Sequence, residues 1–144
     1  MLLHIMARGK IGRCPEAELV ERYVKRISWP MKITELPDSA SKGASKIAAA
    51  PSGSVTVMLD EKGEQLSSTA FARRLEEWRD RGVRECRFLI GAADGFDEVE
   101  RERADLLIAF GRATWPHMMA RAMLAEQLWR ATSILAKHPY HREG

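Results

Sequence analysis

Five residues near the end of this chain, His138-Pro139-Tyr140-His141-Arg142, set two imidazoles, a phenol and a guanidinium almost side by side. A further imidazole, His117, follows Thr114-Trp115-Pro116 at the start of a strongly patterned stretch, and Arg121 stands one helical turn beyond it. Chain ends are usually polar, loosely held and free to vary. No packing need accounts for so many groups that move protons and bind anions, so the cluster reads as part of a site. On a helix, His117 and Arg121 share a face. Arg121 would then meet a phosphate or, as is commoner, pair with a carboxylate.

Such groups need a scaffold, and the pattern supplies alternating strands and helices. Leu2–Ala7 is a short apolar run, and Pro15–Ile27 has apolar residues at 19, 20, 23, 24 and 27, the helical spacing. Met31–Leu36 alternates apolar and polar residues, as a half-buried strand does. Residues 38–54, rich in Ser, Ala, Gly and Lys, read as a loop with at most a short helix at Ser45–Ala50. Val55–Leu59 is a β-branched run stopped by a turn at Asp60-Glu61-Lys62-Gly63. Ser67 or Ser68 caps a helix with Phe71, Leu75 and Trp78 on one face, ended by Gly82. A strand at Cys86–Ile90, a short helix near Asp97–Arg103 and a strand at Leu106–Phe110 follow. Pro116 suits the first position of a helix that runs to about Leu135, with Met119, Ala122, Met123, Leu128, Trp129 and Ile134 available for burial.

Apolar strands separated by helices imply an α/β fold, a largely parallel sheet covered on both faces, with residues 1–144 as a single domain. Ligands of such sheets bind in the loops at the carboxyl ends of the strands. Here those loops are Asp60–Gly63, Gly91–Gly95 and Gly111–Pro116.

Composition narrows the class. With 144 residues, 45% hydrophobic and 30% charged, the chain has enough apolar material for a real core and is not a disordered tail. No apolar run approaches a membrane span. Met1–Arg8 lacks a basic stretch ahead of an apolar one, so it reads as a first strand and not a signal peptide, and a reducing cytoplasm is the default compartment. Cys14 and Cys86 are too few and too far apart for a disulfide framework or a zinc site, and no metal is expected. The net charge of +3 is unevenly placed, with nine Lys/Arg against five Asp/Glu in residues 1–50. Arg8-Gly9-Lys10-Ile11-Gly12-Arg13 is a basic loop beside glycine, suited to phosphate contacts or else a simple solvated turn.

The strand-end loops lack several familiar signatures. Gly91-Ala92-Ala93-Asp94-Gly95 is not the G-x-G-x-x-G fingerprint, and neither a phosphate-binding G-x-x-x-x-G-K-[ST] loop nor a G-x-S-x-G elbow occurs. Small residues there still let backbone N–H and C=O groups approach a flat ligand. Four stretches then combine: Leu59-Asp60-Glu61-Lys62-Gly63; Phe88-Leu89-Ile90-Gly91-Ala92-Ala93-Asp94-Gly95-Phe96; Pro116-His117-x-x-x-Arg121-x-x-x-x-Glu126-Gln127-Leu128-Trp129-Arg130-Ala131; and His138–Arg142. In order and spacing they resemble the RlmH family of SPOUT-class methyltransferases. The resemblance spans nearly the whole chain and is strongest after Val55.

That family methylates N3 of a pseudouridine in large-subunit (23S) ribosomal RNA. The resemblance implies a SPOUT α/β knot with a C-terminal trefoil, a rare exception to un-knotted connections. It implies S-adenosyl-L-methionine as cofactor, lined by Leu59, Gly91, Ala92, Gly111, Arg112, Ala113, Thr114, Trp115 and Pro116. It also implies a homodimer whose partner completes the site, with rRNA in the ribosome as substrate. His117 would act either as a proton acceptor or as an organiser of the cofactor loop. Tyr140 would stack on the target base, while His141 and Arg142 would handle the proton and the anionic charge. Two departures stand out: Ala92 replaces a common second glycine, and the connection from Pro37 to Val55 is short. A catalytically impaired RNA- or ribosome-binding SPOUT protein, or a SPOUT methyltransferase acting on tRNA, are the alternatives.

Overall fold

The structure, a computed structural model, describes residues 1–37, 47–91 and 96–142. Five strands, β1 (Leu2–Arg8), β2 (Met31–Leu36), β3 (Ser54–Glu64), β4 (Glu85–Ile90) and β5 (Leu106–Ile108), form one sheet in the order β2-β1-β4-β3-β5. Every neighbouring pair is parallel. Four helices connect them: α1 (Pro15–Arg26), α2 (Ser68–Asp80), α3 (Glu98–Glu102) and α4 (His117–Leu135).

Alternation along the strands decides the two faces. Leu3, Ile5 and Ala7 of β1, Val57 of β3, Phe88 and Ile90 of β4 and Ile108 of β5 join Leu75 of α2 and Leu124 and Leu128 of α4 in one buried cluster. On this side α4 packs against both α1 and α2. Small residues permit the α1 approach, since Ala122 and Ala125 meet Val20. The other face carries Met6, Met58 and Leu89, closed by Phe96 with Ile47 and Leu107. It also buries polar His4, Arg8, Thr56 and Arg87. His4 meets its hydrogen-bond requirement there by bridging Glu85 Oε1 and Thr34 Oγ1, each at 2.7 Å, which ties β1 to both its neighbours.

Three local features differ from the sequence expectations. Ile47–Ala50 has no regular structure, and the first part of the expected Ser45–Ala50 helix lies outside the described residues. Pro116 is the N-cap of α4 with an extended ψ of 138°, so His117 takes the first helical position. Finally, β3 does not end at Leu59. Leu59 and Glu64 both pair with Ile108, so residues 60–63 leave the ladder and return to it. The expected turn is therefore an excursion inside a strand. Gly63 closes it by pressing onto β5: a Cβ there would lie 2.5 Å from the Ile108 carbonyl carbon and 2.6 Å from its nitrogen. Such approaches of backbone to backbone admit only glycine.

Candidate active site

The carboxyl ends of β3, β4 and β5 enclose a cleft of about 310 Å³. Among the residues expected to bind a cofactor, Leu59, Gly91, Gly111, Ala113, Thr114 and Trp115 line it, and so does His117. Arg112 and Pro116 stand exposed on the same loop without lining the cleft, and Ala92 lies outside the described residues. The loop after β5 is held in shape by its own chemistry. Gly111 supplies the left-handed turn at φ +95°. The Trp115 indole N–H donates to the Phe110 carbonyl at 2.9 Å, and the Thr114 hydroxyl donates to Glu61 Oε2 at 2.7 Å.

Asp60 and Glu61 give the cleft an acidic edge. The Asp60 side chain is 4% exposed and accepts from Arg101 Nε at 2.7 Å. Burial alone would raise its carboxyl, but the Lys62 N–H and the Arg101 guanidinium outweigh that and hold it below the usual carboxylate range. Sequence reasoning did not find Arg101. Its partner lies 41 residues away, so no local pattern could have marked it.

His117 sits where α4 meets the β1–α1 loop. A Cβ on Gly9 would lie 3.9 Å from His117 Cε1, so ring and loop are in contact distance. The buried Nδ1 of His117 has no hydrogen-bond partner among the described residues. One turn on, Arg121 is 2% exposed and takes the carboxylate option: Nη1 donates to Glu35 Oε2 at 2.6 Å and Nη2 to the Gly9 carbonyl at 3.0 Å. The same Glu35 oxygen accepts the Ile11 N–H at 2.7 Å. One ion pair thus locks α4, β2 and the loop together.

Arg121 and the Ile11 N–H hold the Glu35 carboxyl below its ordinary value of 4.5. A depressed folded-state pKa stabilises above the unfolded pKa and is lost as pH falls through the folded one. The loop anchor is therefore expected to hold at neutral pH and to weaken only in acid below about 4.5. Glu35→Ala leaves a buried guanidinium without its counter-charge, which costs about 2–4 kcal/mol after allowing for the partial exposure of Glu35. Urea unfolding measures this loss, and amide exchange at Ile11 should accelerate with it. Unchanged exchange would show that the loop is held by other means.

The terminal cluster lies elsewhere. Tyr140 donates its hydroxyl proton to Glu126 Oε1 at 2.9 Å, and its ring centroid lies 5.4 Å from that of Trp129. Arg130 pairs with Glu126 and lies 3.1 Å from His141 Nδ1. The Arg130 guanidinium also covers the Tyr140 ring at 4.8 Å. Burial and the Glu126 carboxylate push the Tyr140 phenol up to about 12, so it remains a hydrogen-bond donor at neutral pH. From His117 to Glu126 is roughly 14 Å along the helix at about 1.5 Å per residue. Within one chain, Tyr140, His141 and Arg142 line no part of the cleft. The structure joins Leu59–Glu61, Gly91 and the loop after β5 to His117 and leaves the tail apart from them.

A parallel α/β sheet with a glycine-turned, backbone-rich cleft at its strand ends, entered by the first residue of the last helix, defines a class. The family described as "Predicted SPOUT methyltransferase" matches residues 1–141, and the chain belongs to it. Among relatives, the chain is 71% identical to "Ribosomal RNA large subunit methyltransferase H" of Rhizorhabdus wittichii, covering 100% of both chains. It is 69% identical to the protein of that name from Sphingopyxis alaskensis, over 100% of this chain and 99% of that one. Against the namesake from Bradyrhizobium diazoefficiens it is 45% identical over 159 aligned positions, with 99% of each chain covered. A solved structure, "The structure of a probable methylase family protein from Haemophilus influenzae Rd KW20", has the same fold with a TM-score of 0.57. It shares 11% identity, and the match covers 98% of this chain and 70% of that one.

Proposed function

We propose that this protein is a cytoplasmic, homodimeric methyltransferase that uses S-adenosyl-L-methionine to methylate N3 of a pseudouridine in large-subunit rRNA. The convergence of Leu59, Gly91, the 111–115 loop and His117 on one cleft carries this reading, in a chain closely related to named rRNA methyltransferases. The cleft suits the cofactor on its own terms. Leu59, Ile90, Ile108 and Phe110 offer apolar walls to a flat nucleoside, and Glu61, beside the Asp60–Arg101 pair, offers negative charge to a cationic one. Its volume falls within the range of small-molecule sites. The C-terminal trefoil belongs to the same reading.

S-adenosyl-L-methionine supplies an electrophilic methyl group, so the chain's task is to place N3 in line with it. N3 of a uracil-type ring carries a proton and attacks poorly until that proton leaves. His117, the one imidazole among the described residues that line the cleft, is the group that would accept it. Tyr140, kept protonated, serves as a stacking and donor group for the base, and His141 and the exposed Arg142 steady the proton and the anionic ring. Because the tail stays on its own α4, away from its own cleft, it would act on the cleft of the second subunit.

Mass spectrometry of rRNA from a deletion strain tests the function: one methyl should vanish from a large-subunit pseudouridine. Loss of a tRNA methyl instead, or no calorimetric binding of millimolar cofactor, overturns it in favour of a tRNA enzyme or a non-catalytic RNA-binding protein. His117→Ala is expected to lower single-turnover methyl transfer by about 100-fold, the scale of a lost general base. Cofactor affinity should change less than threefold, roughly. Equal losses in both would make His117 an organiser of the loop.

A further inference from the structure

The basic segment Arg8–Arg13 is left over by this chemistry, and its surroundings are unusual for a surface turn. Arg8 is 3% exposed and pairs with Glu100, so it belongs to the interior. Lys10 and Arg13 are exposed and make no direct ion pair among the described residues, though the Lys10 charge is felt by Glu35. Two glycines with left-handed φ, Gly9 at +88° and Gly12 at +61°, shape the loop that carries them. A solvated turn needs no further support. This one is fastened at two backbone points by buried chemistry: Arg121 takes the Gly9 carbonyl, and Glu35 takes the Ile11 N–H. The Gly9 anchor lies in contact distance of His117, which lines the cleft, so the start of the basic loop, with Lys10 next in the chain, is fixed against a residue of the site.

We infer that Lys10 and Arg13 form a phosphate clamp for the RNA strand that enters the site, held in register by the Arg121–Glu35 pair. This rests on the proposed rRNA substrate and adds which surface grips it. Phosphate contacts position a nucleic acid without reading its sequence, and they act through charge. An immobilised loop delivers that charge at a fixed distance from His117, whereas flexible lysines elsewhere on the surface would only attract RNA. Glu16 and Glu18 follow in the first turn of α1, so the run of basic residues ends with the loop.

The test compares two double variants, matched in the charge they remove, in binding purified large subunits across a salt series. Lys10→Gln with Arg13→Gln removes the clamp. Arg81→Gln with Arg84→Gln removes equal charge at exposed positions beside the amino end of β4, opposite the cleft. The clamp variant should bind on the order of tenfold more weakly, with the slope of log affinity against log salt reduced by about 1.5, as expected for two lost phosphate contacts. The control should lose far less, and cofactor affinity by calorimetry should match the parent in both. Equal weakening in the two variants would reduce the loop to general surface charge, and an unchanged salt slope in the clamp variant would remove it from the RNA interface. If the parent itself binds no ribosomal subunit, the functional reading fails rather than the clamp alone.

Discussion

Gly63→Ala is expected to lower stability by about 3 kcal/mol and to abolish measurable cofactor binding, although it adds one methyl group. Overpacking in a well-filled interior commonly costs about 1–3 kcal/mol because side chains can shift. Here the methyl would meet the Ile108 backbone at 2.5–2.7 Å, and backbone in a paired strand has no rotamer to change. Relief requires β5 to move, and β5 leads directly into the Gly111–Trp115 loop that lines the cleft. For a domain of this length, each kcal/mol lowers the melting temperature by about 2–4 °C, so a fall of about 6–12 °C is expected. Gly82→Ala supplies the comparison. Gly82 has a φ of +86° with nothing near its missing Cβ, so strain alone applies, about 1–2 kcal/mol, with cofactor affinity intact. If Gly63→Ala melts within about 2 °C of the parent and binds cofactor normally, the contact with β5 is not what shapes the cleft.

The second large effect concerns the tail. A chain ending at Pro139 should lose methyl transfer by about 1,000-fold or more, since positioning and charge stabilisation go together. Cofactor affinity should survive, because no residue of the tail lines the cleft. Stability should fall only modestly: the Trp129–Tyr140 ring pair is worth about 0.5–1.5 kcal/mol beyond its buried area. Mixing this truncated chain with the His117→Ala chain separates the two arrangements. If the tail serves the partner's cleft, mixed dimers contain one complete site, and activity should return to roughly a quarter of the parent by random pairing. If each tail served its own chain, the mixture would stay inactive.

The sequence already carried the order and type of the elements. Strand alternation in Met31–Leu36, the helical spacing of Pro15–Ile27 and the Ser67 cap are properties of neighbouring residues, and all appear in the structure within a residue or two. The helix expected to run to about Leu135 does so, although Met119 in it is 39% exposed rather than buried. Periodicity reports which residues share a face, but not which face another element covers. The short 37–55 connection and Ala92 lie wholly or partly outside the described residues. The strand-end loops 60–63, 91–95 and 111–116 were marked as candidates because parallel sheets place ligands at strand ends, and Asp60, Glu61, Gly91, Gly111 and residues 113–115 of them line one cleft.

What tertiary structure alone decided depends on distant partners. Arg121 offered two fates in sequence, and the burial that selects Glu35 arises only when β2 and α4 meet across 86 residues. Gly63 looked like a turn glycine until β5 was laid against it. Arg101 carried no mark, yet it fixes the acid edge of the cleft. The sequence by itself determined which groups the protein owns and the local geometry of each, because side-chain chemistry and backbone propensity act over a few residues. Only the folded chain decided which of them share a cavity, which are locked by ion pairs, and that the reactive tail stands away from its own cleft, because these follow from burial between segments far apart in sequence.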